Sequence, residues 1–388
     1  MGITRRTFLN AAGAVSFGSV LPSIVHAKAE LRPEVAIRSP WMANQVALTR
    51  DNLLFLGLPR YAKDKPTPSL ARRDTDGTLK PFPGNTWNEW LPGKDASEAF
   101  VYLNSVHIFA DDTVWCVDQG SLSPGIFGPD YATPAPGAQK IVELDPHSGS
   151  ILKILRFDED ILPPGSQMND LRFHGNFMYV TDSGLGGLIV HDMATGKTIR
   201  RLSGQSVVKA SKTNIPNILA NIKGSQRFVP PNSDMVEVTA DGKWIYWASP
   251  TGPLYRVQTE KLRDSSIPDT ELASMVERAS DIAFSGGCSM DSLGNIYFSE
   301  TISHQITVLS PSGKKAVLLS DPTIVRPDGS FISADRYLYI PIKQPIKKQN
   351  LADQARPELF VTYSVRLPDK IDDIKLGSAI NGAPSFLK

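Results

Sequence analysis

The chain of 388 residues is 41% hydrophobic, 8% aromatic and 21% charged, a globular composition that excludes a disordered or collagen-like polypeptide. Its 41 basic and 40 acidic residues leave a net charge of +1 with no basic block, so nucleic acid is excluded as a partner. The 30 prolines and 29 glycines suit many short strands joined by turns better than a helical bundle.

The first 29 residues read as an address. Arg5 and Arg6 precede a mild apolar run from Ala11 to Leu21, and small residues at Ala27 and Ala29 offer a cleavage site. This pattern predicts a twin-arginine export signal, cleaved to leave residues 30–388 as one domain. The apolar run falls short of the roughly 20 residues a spanning helix needs, so the mature chain is expected to carry no membrane anchor. A periplasmic or secreted protein follows, with the twin-arginine machinery as its transport partner.

Beyond the signal one unit recurs. Residues 44–59 (NQVALTRDNLLFLGLP) and 104–120 (NSVHIFADDTVWCVDQG) share a grammar: a small polar opener, an alternating apolar stretch, an Asp/Asn/Gly turn and a second apolar stretch. The same hairpin returns at 169–184 (NDLRFHGNFMYVTDSG) and 233–248 (SDMVEVTADGKWIYWA), and more weakly at 290–300 and 328–340. Second hairpins follow at 140–153, 187–199 and 305–314. Two hairpins make a four-stranded unit, and six such units predict an all-β, six-bladed β-propeller, since one blade cannot bury both faces alone. Inserts at 59–100, 120–139 and 203–231 are expected as rim loops, and Thr270 to Arg278 as the clearest helix.

In such a ring the innermost strands line a channel, and their openers lie at its mouth. These are Asn44, Asn104, Asn169 with Asp170, Asn232 with Asp234, Ser289 and Asp328. Converging amide and carboxylate oxygens would hold Ca²⁺ or orient a polar ligand; each residue type is also an ordinary satisfier of backbone groups at a strand start. Asn104, His107, Asn169, Asp234 and Ser289 are the candidate ligand-binding residues. The six histidines show no metal spacing, no Gly-x-Ser-x-Gly elbow is present, and Ser183-Gly-Leu-Gly-Gly187 opens a strand where a phosphate loop would open a helix. Cys116 and Cys288 either pair in an oxidising compartment or sit as inert thiols within apolar runs.

Several segments carry a resemblance. Residues 44–60, 67–71 (TPSLA), 81–88 (PFPGNTWN), 114–120 (VWCVDQG), 179–192 (YVTDSGLGGLIVHD) and 289–298 (SMDSLGNIYF) resemble, in the same order, the yellow/major royal jelly protein family. That likeness implies an exported six-bladed propeller; insect relatives are variously small-amine binders, nutritive proteins and pigment-pathway proteins, some linked to dopachrome conversion. Residues 231–246 (PNSDMVEVTADGKWIY) resemble the calcium-ligand strand of the gluconolactonase/senescence-marker lactonases, which implies Asn232 as a metal ligand beside Asn169 and Asp328. The lactonases' first-blade Glu is replaced by the Asn44 region, and Gly287-Cys-Ser289 stands where blade order calls for their Asp. The resemblance implies metal-assisted opening of a lactone or ester with Asp170 or Asp328 as general base, or a dopachrome-converting activity. The alternative is a non-catalytic binder of small aromatic or cyclic ligands.

Overall fold

The computed structural model describes residues 31–388 except 60–67, 75, 92, 122–133, 135–136, 215–228, 344–359 and 381–388. The expected export signal at 1–29 lies outside the described residues. Strand β1 (Glu34–Ser39) is followed by β2 (Gln45–Leu48), β3 (Leu54–Gly57), β4 (Leu70–Arg73) and β5 (Leu79–Pro81), the first blade. The second blade is β6 (Leu103–Ile108), β7 (Val114–Asp118), β8 (Lys140–Leu144) and β9 (Ile151–Leu155). The third is β10 (Met168–His174), β11 (Phe177–Asp182), β12 (Gly187–Asp192) and β13 (Thr198–Arg201). The fourth is β14 (Met235–Val238), β15 (Trp244–Ala248), β16 (Leu254–Gln258) and β17 (Glu277–Ser280). The fifth is β18 (Ser285–Met290), β19 (Ile296–Glu300), β20 (Gln305–Leu309) and β21 (Lys315–Ser320). The sixth takes β22 (Phe331–Ile332), β23 (Tyr337–Pro341) and β24 (Phe360–Arg366) and borrows β1 as its outermost strand. The chain is a six-bladed β-propeller of four-stranded antiparallel sheets.

The core is the set of interfaces between blades, and β7 shows why its sequence lacks a polar face. Val114 and Cys116 point back onto Ala47, Phe55 and Leu70 of the first blade, while Trp115 and Val117 point forward onto Leu171, Phe173 and Val180 of the third. Both faces are covered, so every residue of the strand is buried. Analogous seams join the third blade to the fourth, the fourth to the fifth and the sixth to the first. At the end of each of β7 and β11 a buried aspartate ties the blade together. Asp118 accepts from the backbone N–H groups of Val101, Tyr102 and Gly120, and Asp182 from those of Gln167, Gly184 and Leu185. Each has a cation: Lys140 Nζ lies 3.0 Å from Asp118 and Arg200 Nη2 2.6 Å from Asp182.

Two sequence expectations need correction, and of the two readings of the cysteines one is settled. The insert at 59–100 holds the two outer strands of the first blade, whose Leu-Ala-Arg-Arg and Leu-Lys-Pro runs are too short and polar to show alternation. The helix expected to Arg278 spans Asp269–Ser274 only, and Glu277–Ser280 is an outer strand. Cys116 and Cys288 are free and lie in different inter-blade seams, in clusters around Val106 and Met235 respectively. Burial pushes both thiols well above their ordinary range. The native protein is therefore expected to give no reaction with a water-soluble disulfide reagent and to release two thiols on denaturation; one thiol or none after denaturation would contradict the seams.

Candidate functional site

Six inner strands, one per blade, surround the channel, and irregularities in three of them aim the side chains that matter. Register in β6 passes from Leu103 opposite Asp118 to Ser105 opposite Val117, leaving Asn104 extra. In β10 the pair Asn169–Asp170 faces Thr181 alone, and in β18 Gly286–Gly287 faces Ser299 alone. Such bulges twist a strand locally and turn the extra residue away from the ladder. They occur here where each strand enters the channel.

The amides at this mouth are joined head to tail around the ring. Asn44 Nδ2 donates to the Asn104 carbonyl at 2.8 Å, and Asn104 Nδ2 donates to Asn169 Oδ1 at 2.7 Å. The Asn169 side chain in turn donates to Asp234. Four successive blades are thus linked, ending on a carboxyl group. The fifth blade contributes only Gly286 and Gly287. A Cβ on Gly286 would lie 2.6 Å from the Pro327 carbonyl oxygen and 3.0 Å from Asp328 Oδ1, so glycine lets the sixth-blade segment lie against the strand. Asp328 then closes the ring, ion-paired to Lys343, which follows β23. At the start of the belt Asn44 is 4% exposed, and its Oδ1 is buried without a hydrogen-bond partner.

Burial, and after it the charge of Asp328, push Asp234 well above the ordinary carboxylate range. Burial also raises Asp328, against which the Lys343 ammonium acts. For Lys343 burial opposes the charge, but Asp328 outweighs it and holds the proton more tightly than on a free lysine. The cavity they enclose, about 80 Å³, also takes in Asn44, Asn104, Asn169 and Asp170.

Below the mouth a polar network fills the channel. Asp170 Oδ1 accepts from Ser105 Oγ at 2.6 Å and from the Leu171 N–H at 2.9 Å, and faces His107 Nε2 at 2.8 Å. Arg172 Nη1 lies 3.0 Å from Asp170 Oδ2, while its Nε and Nη2 grip Glu237 at 3.0 and 2.6 Å. Arg172 Nη1 also approaches His107 Nε2 at 2.9 Å, but a single ring nitrogen cannot donate to Asp170 and accept from Arg172 at once. We place the proton on Nε2, because Arg172 Nη1 already has Asp170 and the Leu171 carbonyl, 2.7 Å away. Burial holds His107 below the ordinary histidine range, with Arg172 acting in the same sense. Burial alone would raise Asp170; Arg172 and His107 instead hold it far down. Burial raises Glu237 despite Arg172. On the far side, a second cavity of about 130 Å³ is lined by His107, Arg172, Glu237 and Ser289 beneath Phe109 and Phe331.

The sequence-derived candidates therefore divide. Asn104, Asn169, Asp170, Asp234 and Asp328 meet at the mouth. His107 and Ser289 line the opposite cavity, Ser289 Oγ lying 3.0 Å from Ser330 Oγ. Asn232, expected on the metal, sits outside the mouth lining. Its Nδ2 donates to the Gly184 carbonyl at 2.6 Å and its Oδ1 accepts from the Ala210 N–H at 3.1 Å, so both ends of the amide tie loops together. Lys343, Arg172 and Glu237 were not singled out from sequence. Arg172 and Glu237 fall on inner-strand positions beyond the openers, a signal that alternation carries; Lys343 has no such signal.

The family model for the major royal jelly proteins matches residues 105–315, over half of the chain. The chain belongs to the major royal jelly protein family. No curated protein matches it. Among solved structures, this royal jelly family propeller is similar to a gluconolactonase from Xanthomonas campestris, with 11% identity over 87% of this chain and 95% of that one and a TM-score of 0.51. It is similar also to regucalcin, a calcium-binding protein from Agrobacterium tumefaciens, with 12% identity, 91% and 98% coverage and a TM-score of 0.51. A luciferin-regenerating enzyme gives 10% identity, 90% and 98% coverage and a TM-score of 0.52. At these identities the likeness is one of fold.

The Ca²⁺ expected at Asn169, Asn232 and Asp328 does not fit the mouth of this royal jelly family member. Ca²⁺ takes about six to eight oxygens at roughly 2.3–2.6 Å. Here Asn169 Oδ1 accepts from Asn104, Asn232 is spent on loops, and Asp328 faces an ammonium. Among the described residues no group of three or more His, Cys, Asp or Glu side chains is arranged to hold a metal.

Proposed function

We infer that this protein opens small lactones or esters at the mouth of its channel, using paired acid and base. One observation carries the reading: of the three buried carboxyls that line a small cavity, Asp170 is engaged by the channel network, Asp328 is ion-paired to Lys343, and Asp234, with neither support, is held well above its ordinary range. Environments that drive two carboxyls apart assign them opposite roles. Asp328, ionised beside Lys343, takes a proton from water as the water oxygen bonds to the acyl carbon. Lys343 faces the carbonyl oxygen and stabilises the negative charge that develops there. As the acyl C–O bond breaks, Asp234 gives its proton to the departing alkoxide. The proton taken up by Asp328 then restores Asp234, and the products are an acid and an alcohol. Asp170, with both oxygens engaged by Ser105, His107 and Arg172, serves as an anchor of the channel network in place of the base expected from sequence.

About 80 Å³ admits a reacting group and little more, so the ligand's remainder lies outside the mouth. The similarity in fold to a gluconolactonase is consistent with this chemistry. We also take residues 1–29 as an export signal, which makes this a periplasmic or secreted enzyme carried by the twin-arginine machinery. The test is a pH-stat assay of γ- and δ-lactones and aryl esters. Turnover is expected, falling by about 10²-fold or more in Asp328→Asn. Saturable binding of a cyclic or aromatic ligand without turnover by the wild-type protein would replace the enzyme by the non-catalytic binder.

A further inference from the structure

We propose that the Lys343 side chain occupies the place of a divalent cation at the channel mouth, so that the protein works without one and carries a latent cation site that Lys343 keeps closed. The claim stands on the mouth geometry and holds whether or not lactones are hydrolysed there.

Three observations lead to it. Oxygen-bearing side chains from the first, fourth and sixth blades converge on one cavity: Asn44, Asp234 and Asp328. Hard oxygens of this kind, from several strands at one axis, suit a Ca²⁺-sized ion. Among the described residues the one positive charge lining that cavity is Lys343, and it is seated on Asp328. An ammonium there neutralises a carboxylate that is only 6% exposed. Finally, Asn44 lines the cavity, and its Oδ1 atom is buried and lacks a donor, an acceptor left over from the amide belt. Buried side-chain acceptors are rarely left unpaired, and a cation is one way to complete this one.

Take away the Lys343 charge, and Asp328 and Asp234 share the cavity without the ammonium that offsets them. A divalent ion bound there supplies the missing positive charge and displaces the proton that burial, and after it the charge of Asp328, holds on Asp234. Lys343→Gln keeps the length and polarity of the side chain while removing its charge.

The experiment titrates the full mature protein, stripped with chelator, with Ca²⁺ by calorimetry and with Tb³⁺ by luminescence at matched pH. Wild type is expected to show no saturable site up to millimolar Ca²⁺, whereas Lys343→Gln gains one site that binds at least about 100-fold more tightly. Adding Asp328→Asn to Lys343→Gln should abolish the gain, which locates the ion at the mouth. A folded Lys343→Gln protein with no gain would overturn the proposal. So would a wild-type Ca²⁺ site, or a Ca²⁺-dependent rise in melting temperature, that disappears in Asp328→Asn. Should Lys343→Gln fail to fold, Lys343→Met takes its place in the same titration, with the same gain expected and its absence equally decisive. Absence of lactone turnover bears on the preceding reading alone, since every readout here is metal binding.

Discussion

Asp234→Asn is expected to lower lactone or ester turnover by about 10²–10⁴-fold and at the same time to flatten the dependence of stability on pH. The catalytic loss follows from chemistry. Asparagine retains the hydrogen bond from the Asn169 amide but has no proton to give, so the leaving alkoxide departs unassisted. The stability effect follows from linkage. Asp234 has its pKa raised in the folded protein, by burial first and the charge of Asp328 second, while in the unfolded chain it titrates near 3.9. Its contribution is fully present below that unfolded value and is lost as pH rises through the folded one. A neutral amide does not titrate, so the variant escapes this loss. The melting temperature of wild type should fall faster than that of Asp234→Asn as the buffer is taken from pH 4 into the alkaline range. The wild-type rate should fall as the pH rises through the raised folded-state value of Asp234 and its proton is lost. Turnover in the variant within a few-fold of wild type, or parallel stability curves, would remove Asp234 from the acid role.

Arg172→Met is expected to cost about 3–5 kcal/mol of unfolding free energy, measured by urea titration. The guanidinium holds Asp170 on one side and Glu237, in two hydrogen bonds, on the other, and all three side chains are buried. Removing it leaves two carboxylates facing each other in the channel core with His107 neutral beside them. The penalty arises from these uncompensated charges more than from lost contacts, so adding Glu237→Gln to Arg172→Met should recover part of the loss. Arg172→Lys should recover little of it, since a point charge cannot reproduce the two-pronged grip on Glu237 together with the contact to Asp170. Unchanged urea midpoints in Arg172→Met would show that the network contributes nothing to the fold.

How much of this was visible in the sequence varies with what each residue answers to. Strands buried on both faces and ending in a tight turn, such as 104–120 and 169–184, announced themselves, because burial and turn chemistry are local demands. Outer strands such as Leu70–Arg73 and Glu277–Ser280 did not, since at the rim one face meets water and a short polar run satisfies the ladder as well as an apolar one. The openers were legible as a set, and five of the candidates meet at the mouth because bulges and strand starts bring them there. Asn232 and Asp234, two residues apart, could not be told apart in sequence: which of them faces the channel depends on whether loop backbone groups capture the amide, and those groups are the Gly184 carbonyl and the Ala210 N–H. Lys343 could not be read at all. Its meaning comes from Asp328, and the two are brought together only by the course of the chain after β23.

The sixth blade has an outcome for how the molecule is assembled. Its outermost strand, Glu34–Ser39, is made before any other strand of the ring, and its partner, Phe360–Arg366, after every other blade strand. During synthesis the early strand waits without a mate while five blades stack, and the wheel stays an open arc with an unsatisfied sheet edge at its end. The last annealing step therefore joins the two extremities of the polypeptide, and a nascent chain halted anywhere short of Phe360 holds its blades as an unlocked stack.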